Sequence, residues 1–159
     1  MANGFLTLLS FFTRIPVGIK IEYKEENLIK ALSLYTLMGA VIGTFLAVVY
    51  LIFNNIYIVF LRGLVLTISY IIITGGIHLD GTADTSDGIF SGRTGEKIFE
   101  IMSDSHIGSF GVLSLILVIL SQFVLFSYLD IYSCFIMPVV GRACVIVASF
   151  NKKYAKKTK

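Results

Sequence analysis

The sequence predicts an all-α protein: an integral membrane helical bundle of about four spans, with an N-terminal interfacial helix and an acidic helix pair at one membrane face. Three observations predict it. The 159 residues are 56% hydrophobic and only 14% charged, with a mean hydropathy of +0.86, whereas a soluble domain carries about a quarter charged residues. Several apolar runs are long enough to cross a bilayer, which needs about 20 residues as helix. The charges gather outside those runs, nearly all of them on one side of the expected membrane.

Taken in order, the N-terminal stretch MANGFLTLLSFFTRIPVG has an apolar run too short to span. It lacks a basic leader, and Arg14 and Pro16 stand where a small-residue cleavage site would lie. It is read as an interfacial or re-entrant helix retained in the mature protein. Residues 31–53 carry no charge and form the first span; Asn54 and Asn55 make a tight turn. Residues 56–74 form the second, interrupted only by Arg62, and 107–129 form the third with no charge. Asp130 marks a further turn before the fourth span, 131–149, which contains Pro138 and Arg142. All are expected as helices, because open strands leave backbone groups unsatisfied in lipid. No repeat, low-complexity tract or second domain is visible, so 1–159 reads as one membrane domain with its acidic motif at 75–106.

Four spans put the N-terminus, the 75–106 segment and the C-terminus on the same face. Arg14, Lys20, Lys24, Lys30, Arg93, Lys97 and the five tail lysines lie there, eleven of the thirteen basic residues. The positive-inside rule makes that face cytoplasmic and the protein a multi-pass component of the cytoplasmic (inner) membrane. Gly39 and Gly43 form a GxxxG that Ala47 extends by a turn, a stripe suited to close helix approach either within the chain or in a homo-oligomer. Cys134 and Cys144 are about 15 Å apart along one helix, too far to bridge, and read as small buried hydrophobes. Arg62 reads as a snorkelling residue. Arg142, deep in a span, demands a partner or a polar cavity.

The acidic motif carries the chemistry. Between Gly75 and His106 stand six acids against two bases, a local net charge of −4. If 80–87 is helical, Asp80, Asp84 and Asp87 follow i, i+4, i+7 and lie within roughly 60° of one another. Three carboxylates on one face repel unless a cation sits among them, and hard oxygen donors suit Mg²⁺ or Mn²⁺. Glu96, Glu100 and Asp104 recur at the same spacing on EKIFEIMSD and read equally as a second acidic face or a solvated one. Glycines at 75, 76, 81, 88, 92 and 95 permit turns and close backbone approach, and Arg93 adds a guanidinium fork for phosphate. His78 and His106 flank the region as a candidate base, ligand or polar cap. No GxxxxGK[ST], GxGxxG or GxSxG is present.

Other functional classes fit less well. A cation transporter places acids within its spans, and here no span contains one, while Arg62 and Arg142 oppose a cation path. A scaffold has no use for three carboxylates on one helix face. Basic residues interleaved with acids, without an aromatic stacking platform, exclude nucleic acid as a partner.

GGIHLDGTADTSDGIFSGR at 75–93, followed by EIMSDSHIGSFG at 100–111, closely resembles the signature of the cobalamin synthase (adenosylcobinamide-GDP ribazoletransferase) family. FFTRIPVG at 11–18 and PVVGRA at 138–143 resemble its lesser motifs, so the likeness runs over nearly the whole chain. The resemblance implies a membrane enzyme of the last steps of cobamide assembly. It would join α-ribazole, or α-ribazole 5′-phosphate, to adenosylcobinamide-GDP with release of GMP, using Mg²⁺. It would place metal on Asp80, Asp84, Asp87 and Asp104, and phosphate oxygens on Arg93, Arg14 or Arg142, with His106 a further substrate contact. Asp84, Asp87 and His78 would be the catalytic groups, His78 or an aspartate taking the hydroxyl proton. The acidic motif also resembles that of CDP-alcohol phosphotransferases, which displace a nucleoside monophosphate from a diphosphate, but their DGxxAR continuation is replaced by HLDGTAD. Members of the synthase family continue with further hydrophobic helices after the segment resembling NKKYAKK, so the chain is expected to be C-terminally short.

Overall fold

The computed structural model describes residues 2–18 and 32–149, and among these every regular element is helical. The elements are α1 (Ala2–Phe12), α2 (Tyr35–Ile52, entered through a 3₁₀ turn at Leu32–Leu34), α3 (Val59–Thr74), α4 (Ile77–Phe90), α5 (Glu96–Met102), α6 (Ser109–Ser127) and α7 (Ile131–Ser149). Lys20, Lys24, Lys30 and the tail lysines, on which the orientation argument leans, lie outside the described residues.

Three helices are long and apolar enough to cross a membrane: Leu32–Ile52, Ser109–Ser127 and Ile131–Ser149. The second expected span is shorter than its sequence suggests. Ile56–Ile58 lie outside any helix after the asparagine turn, with Ile58 extended, so α3 has 16 residues, about 24 Å of helix against a hydrocarbon core of about 30 Å. The count of four is reached only when α3 is taken together with α4.

The described residues fall into two compact units. The first runs to Gly75 and resumes at Phe123; the second is Gly76–Gln122.

In the first unit, α2 packs against α7, α3 and α1. Lipid tails are as apolar as leucine, so such packing draws on close contact more than on removal from water. The glycines allow that contact. A Cβ on Gly39 would stand 2.6 Å from the Pro138 carbonyl oxygen and 2.9 Å from Val139 Cα, and one on Gly43 would stand 3.1 Å from Phe135 Cα. The Gly39/Gly43 stripe, open in the sequence to self-association, is therefore covered by the chain's own α7. Gly63 meets Ser127 in the same way, with a Cβ position 2.8 Å from Ser127 Cα. Leu46, Val49, Leu66, Phe126 and Cys134 fill one buried cluster. Leu8 of α1 joins Tyr35, Met38, Ile42 and Ile73 in another. The N-terminal helix is thus docked by its Leu8 face, while Phe11 stays exposed. Phe12 stacks edge-on against Tyr35 at 5.0 Å, and the Arg14 N–H donates to the Ile73 carbonyl at 2.8 Å.

In the second unit, α5 packs on α4. Gly88 makes the approach possible, since a Cβ there would lie 2.6 Å from Met102 Cγ and 3.2 Å from Ile98.

Candidate functional site

The site residues begin where α3 ends. Gly75 and Gly76 both adopt left-handed backbone, φ +63° and +74°. Gly75 caps α3 through its N–H to the Ile72 carbonyl, and Gly76 stands at the N-cap of α4. Two consecutive left-handed residues are costly for anything but glycine. This pair ends one helix and starts another within two residues.

α4 confirms the helical geometry that the acidic spacing requires: Asp80, Asp84 and Asp87 lie on one face of Ile77–Phe90. Its many small polar residues do not break the helix, because their hydroxyls bond back to their own turn: Thr82 to the His78 carbonyl, Thr85 to Gly81 and Ser86 to Thr82. Asp80 is exposed and Asp84 half-buried. Neither accepts a hydrogen bond among the described residues. Partial burial, and then the like charges of Asp80 and Asp87, hold the Asp84 carboxyl above its ordinary value.

Asp87 is different. Both of its oxygens are occupied: the Gly108 N–H donates to one at 2.7 Å and the Gly111 N–H to the other at 2.8 Å. These amides open α6, and the Gly108 carbonyl accepts the first bond of that helix, from Val112. The sequence motif contained this signal in the glycines at 108 and 111, which the acidic pattern alone does not weigh.

The second acidic array does not continue to Asp104. α5 ends at Met102, where the Ser103 and Asp104 N–H groups close its last turn, so Asp104 lies beyond the helix. Its carboxylate turns instead to His106, accepting the backbone N–H at 3.1 Å and pairing with the ring Nδ1 at 2.7 Å. That hydrogen bond lowers the Asp104 pKa and raises that of His106. Glu96 and Glu100 are exposed on α5, whose Ile98 and Met102 face α4, which favours the solvated-face reading. Arg93 is exposed after α4, its N–H held by the Ser91 hydroxyl at 3.1 Å. His78 is exposed in the first turn of α4.

Arg14 and Arg142 belong to the first unit, and the last turns of α3 hold both. Arg14 lies across Gly75, where a Cβ would come within 3.1 Å of its Cγ and Cδ. Arg142 is only 5% exposed, and its Nη1 donates to the Tyr70 hydroxyl at 2.9 Å. Its Nε and Nη2 are buried without a partner among the described residues. Tyr70, which the sequence reading passed over, also packs edge-on against Phe126. Its only sequence signal was a phenol near the end of a span. Arg62, read as snorkelling, lies over the Tyr50 ring at 5.1 Å with a buried Nε.

Among the described residues no three His, Cys, Asp or Glu side chains form a ready-made metal cage. The donor set instead suits a cation taken through two open carboxylates, Asp80 and Asp84, with phosphate oxygens completing its shell, as Mg²⁺ is commonly held.

A sequence profile described as cobalamin-5-phosphate synthase matches residues 4–159. The adenosylcobinamide-GDP ribazoletransferase of Fusobacterium nucleatum is 41% identical over 168 residues, covering 97% of this chain and 60% of its own length. Proteins of the same name from Clostridium acetobutylicum and Acetivibrio thermocellus are 36% and 38% identical, covering 96% and 95% of this chain and 62% of their own lengths. The chain therefore spans about three fifths of the curated relatives it matches. No solved structure matches it.

Proposed function

The chain belongs to the cobalamin-5-phosphate synthase family, and we propose that it carries the reaction its relatives are named for: joining α-ribazole, or its 5′-phosphate, to adenosylcobinamide-GDP with release of GMP. The observation that carries this reading is the pair Asp80 and Asp84. They stand one helical turn apart with no protein donor among the described residues, and Asp84 is held above its ordinary value. Such a pair is unfavourable by itself and becomes favourable with a cation and a diphosphate beside it.

In this reading a ribose hydroxyl of the ribazole attacks the phosphorus linked to cobinamide. A new P–O bond forms, the bond to the GMP oxygen breaks, and the hydroxyl proton passes to a base of the chain. Asp80 and Asp84 would hold Mg²⁺, with Asp104 a further carboxylate; the ion, when bound, neutralises charge on the diphosphate and on the leaving GMP. Arg93 would bind phosphate oxygens through its planar fork. Arg14 is exposed and offers the same chemistry, and the two Arg142 nitrogens without a partner among the described residues are donors that a ligand oxygen would satisfy. His78 and His106 are exposed imidazoles able to take the hydroxyl proton near neutral pH. The one-sided basic charge supports a cytoplasmic-membrane protein with the 75–106 segment facing the cytoplasm.

The test is turnover by the purified chain in liposomes supplied with adenosylcobinamide-GDP, α-ribazole and Mg²⁺, followed by GMP release. Asp84→Asn, which keeps shape and removes charge, is expected to lower kcat by roughly 10²-fold or more, and chelation to abolish turnover. Full activity in Asp84→Asn would sink the metal-site assignment. No turnover in the wild-type chain, with Mn²⁺ still bound, would show that this three-fifths-length chain holds the metal motif without the complete substrate site.

A further inference from the structure

We infer that Asp87 is a positioning residue: it supplies in trans the cap that span α6 cannot make for itself, and so ties the acidic helix α4 to the start of that span. The inference rests on the proposed reading of α4 as the metal-binding helix, and assigns Asp87 a task different from that of Asp80 and Asp84.

The first turn of a helix leaves backbone N–H groups without partners. A capping box satisfies two of them, at the N-cap and at the third helical residue, with side chains from those same two positions. In α6 these positions are Gly108 and Gly111, which have no side chains. The two N–H groups that a capping box would satisfy are the two that donate to Asp87, one to each oxygen, at 2.7 and 2.8 Å. The glycines also clear the space. A Cβ on Gly108 would lie 2.8 Å from Asp87 Cγ, and one on Gly111 would lie 3.1 Å from it and 3.0 Å from Ile107 Cγ1. A carboxylate at the positive end of an apolar helix is favoured by the helix dipole as well. Phe90, further along α4, meets Phe110 of α6 with ring centroids 5.6 Å apart, a second contact between the same two elements.

Asp84 and Asp87 are three residues apart on one helix. Fixing Asp87 on the α6 amides therefore fixes the rotation of α4 and the direction in which Asp80 and Asp84 point. Asp87 acts through them, and its own oxygens are spent on the amides.

The experiment uses the full chain in detergent with Mn²⁺ as the probe, free Mn²⁺ read by electron paramagnetic resonance. Amide hydrogen exchange over 107–113 is read by mass spectrometry. Asp84→Asn is expected to lose Mn²⁺ binding with exchange unchanged. Asp87→Asn keeps one acceptor and places an NH₂ against the other amide. It is expected to bind Mn²⁺ within about twofold of wild type, while the Gly108 and Gly111 amides exchange roughly tenfold faster, as for a lost cap. In the liposome assay it lowers kcat and leaves the half-saturating Mg²⁺ concentration unchanged. Gly111→Ala sets its methyl against Asp87 and so disturbs the cap without removing a carboxylate, and is expected to reproduce the fast exchange and the retained Mn²⁺. Mn²⁺ binding lost in Asp87→Asn as in Asp84→Asn, with exchange at the wild-type rate, would make Asp87 a ligand and overturn the inference. If the wild-type chain binds no Mn²⁺, the metal reading of α4 fails alone. The exchange arm still decides the cap: faster exchange in Asp87→Asn sustains it, and unchanged exchange overturns it.

Discussion

Replacing Gly43 by alanine tests the packing of the first unit most directly, because the added methyl meets backbone, which cannot rotate aside. Its Cβ would fall against the Phe135 peptide of α7, 3.1 Å from Cα and closer still to the carbonyl oxygen. Over-packing of this kind costs about 1–3 kcal/mol. Alanine also stabilises a helix by about 1 kcal/mol relative to glycine, which would mask part of the effect. Gly141→Ala supplies the correction: a Cβ there meets nothing within 4 Å, so it gains the same propensity without the clash. The difference between the two variants isolates the close approach, and for a chain of this length about 1–3 kcal/mol corresponds to roughly 2–12 °C in unfolding midpoint. The assay is thermal unfolding in detergent with a thiol-reactive dye. Cys144→Ser serves as background, so that fully buried Cys134, packed in the same unit, reports the opening. Equal midpoints for Gly43→Ala and Gly141→Ala would refute the reasoning. So would a Gly43→Ala variant that unfolds at the wild-type midpoint but shifts from dimer to monomer in sedimentation, since the stripe would then serve self-association.

Tyr70→Phe removes the one side-chain hydrogen bond that Arg142 makes among the described residues and is expected to destabilise by about 1.5–3 kcal/mol, read by the same midpoint. Arg142→Met, which removes a buried cation with two unpartnered nitrogens, is expected to leave stability equal or higher while lowering turnover; a large loss of stability would show that the charge is satisfied in the fold. The Asp104–His106 pair sets a pH window. His106 is raised, so its contribution is complete below its unfolded pKa of about 6.5 and lost as pH rises through the folded value; Asp104 is lowered, so its contribution is complete above about 3.9 and lost as pH falls through its folded value. The pair is worth most between those limits, and Asp104→Asn should lower the His106 titration midpoint in an NMR titration; an unchanged midpoint would deny the pairing.

Hydropathy located three of the four expected spans closely and overestimated α3. Length of apolar sequence does not register where a helix starts, and Ile56–Ile58 are apolar yet lie outside the helix. The one-face placement of Asp80, Asp84 and Asp87 was legible because helical spacing is a local property. The extension of the second array to Asp104 was not, since the helix closes at Met102 and the aspartate bonds forward to His106. Whether Gly39 and Gly43 faced another helix of the chain or another copy could not be read from GxxxG, which records only that something approaches closely.

By itself the sequence determined that the protein is helical and membrane-embedded, and that one short stretch concentrates its carboxylates. Those are sums over neighbouring residues: apolar length against bilayer thickness, and charge against a 3.6-residue turn. Only the tertiary structure decided how three similar aspartates divide. Asp80 and Asp84 stay open, while Asp87 is drawn to two amides more than twenty residues away. Only the fold, too, set Arg142 on Tyr70. A carboxylate's task depends on which donors reach it, and donors distant in sequence come within 3 Å only when the helices that carry them pack.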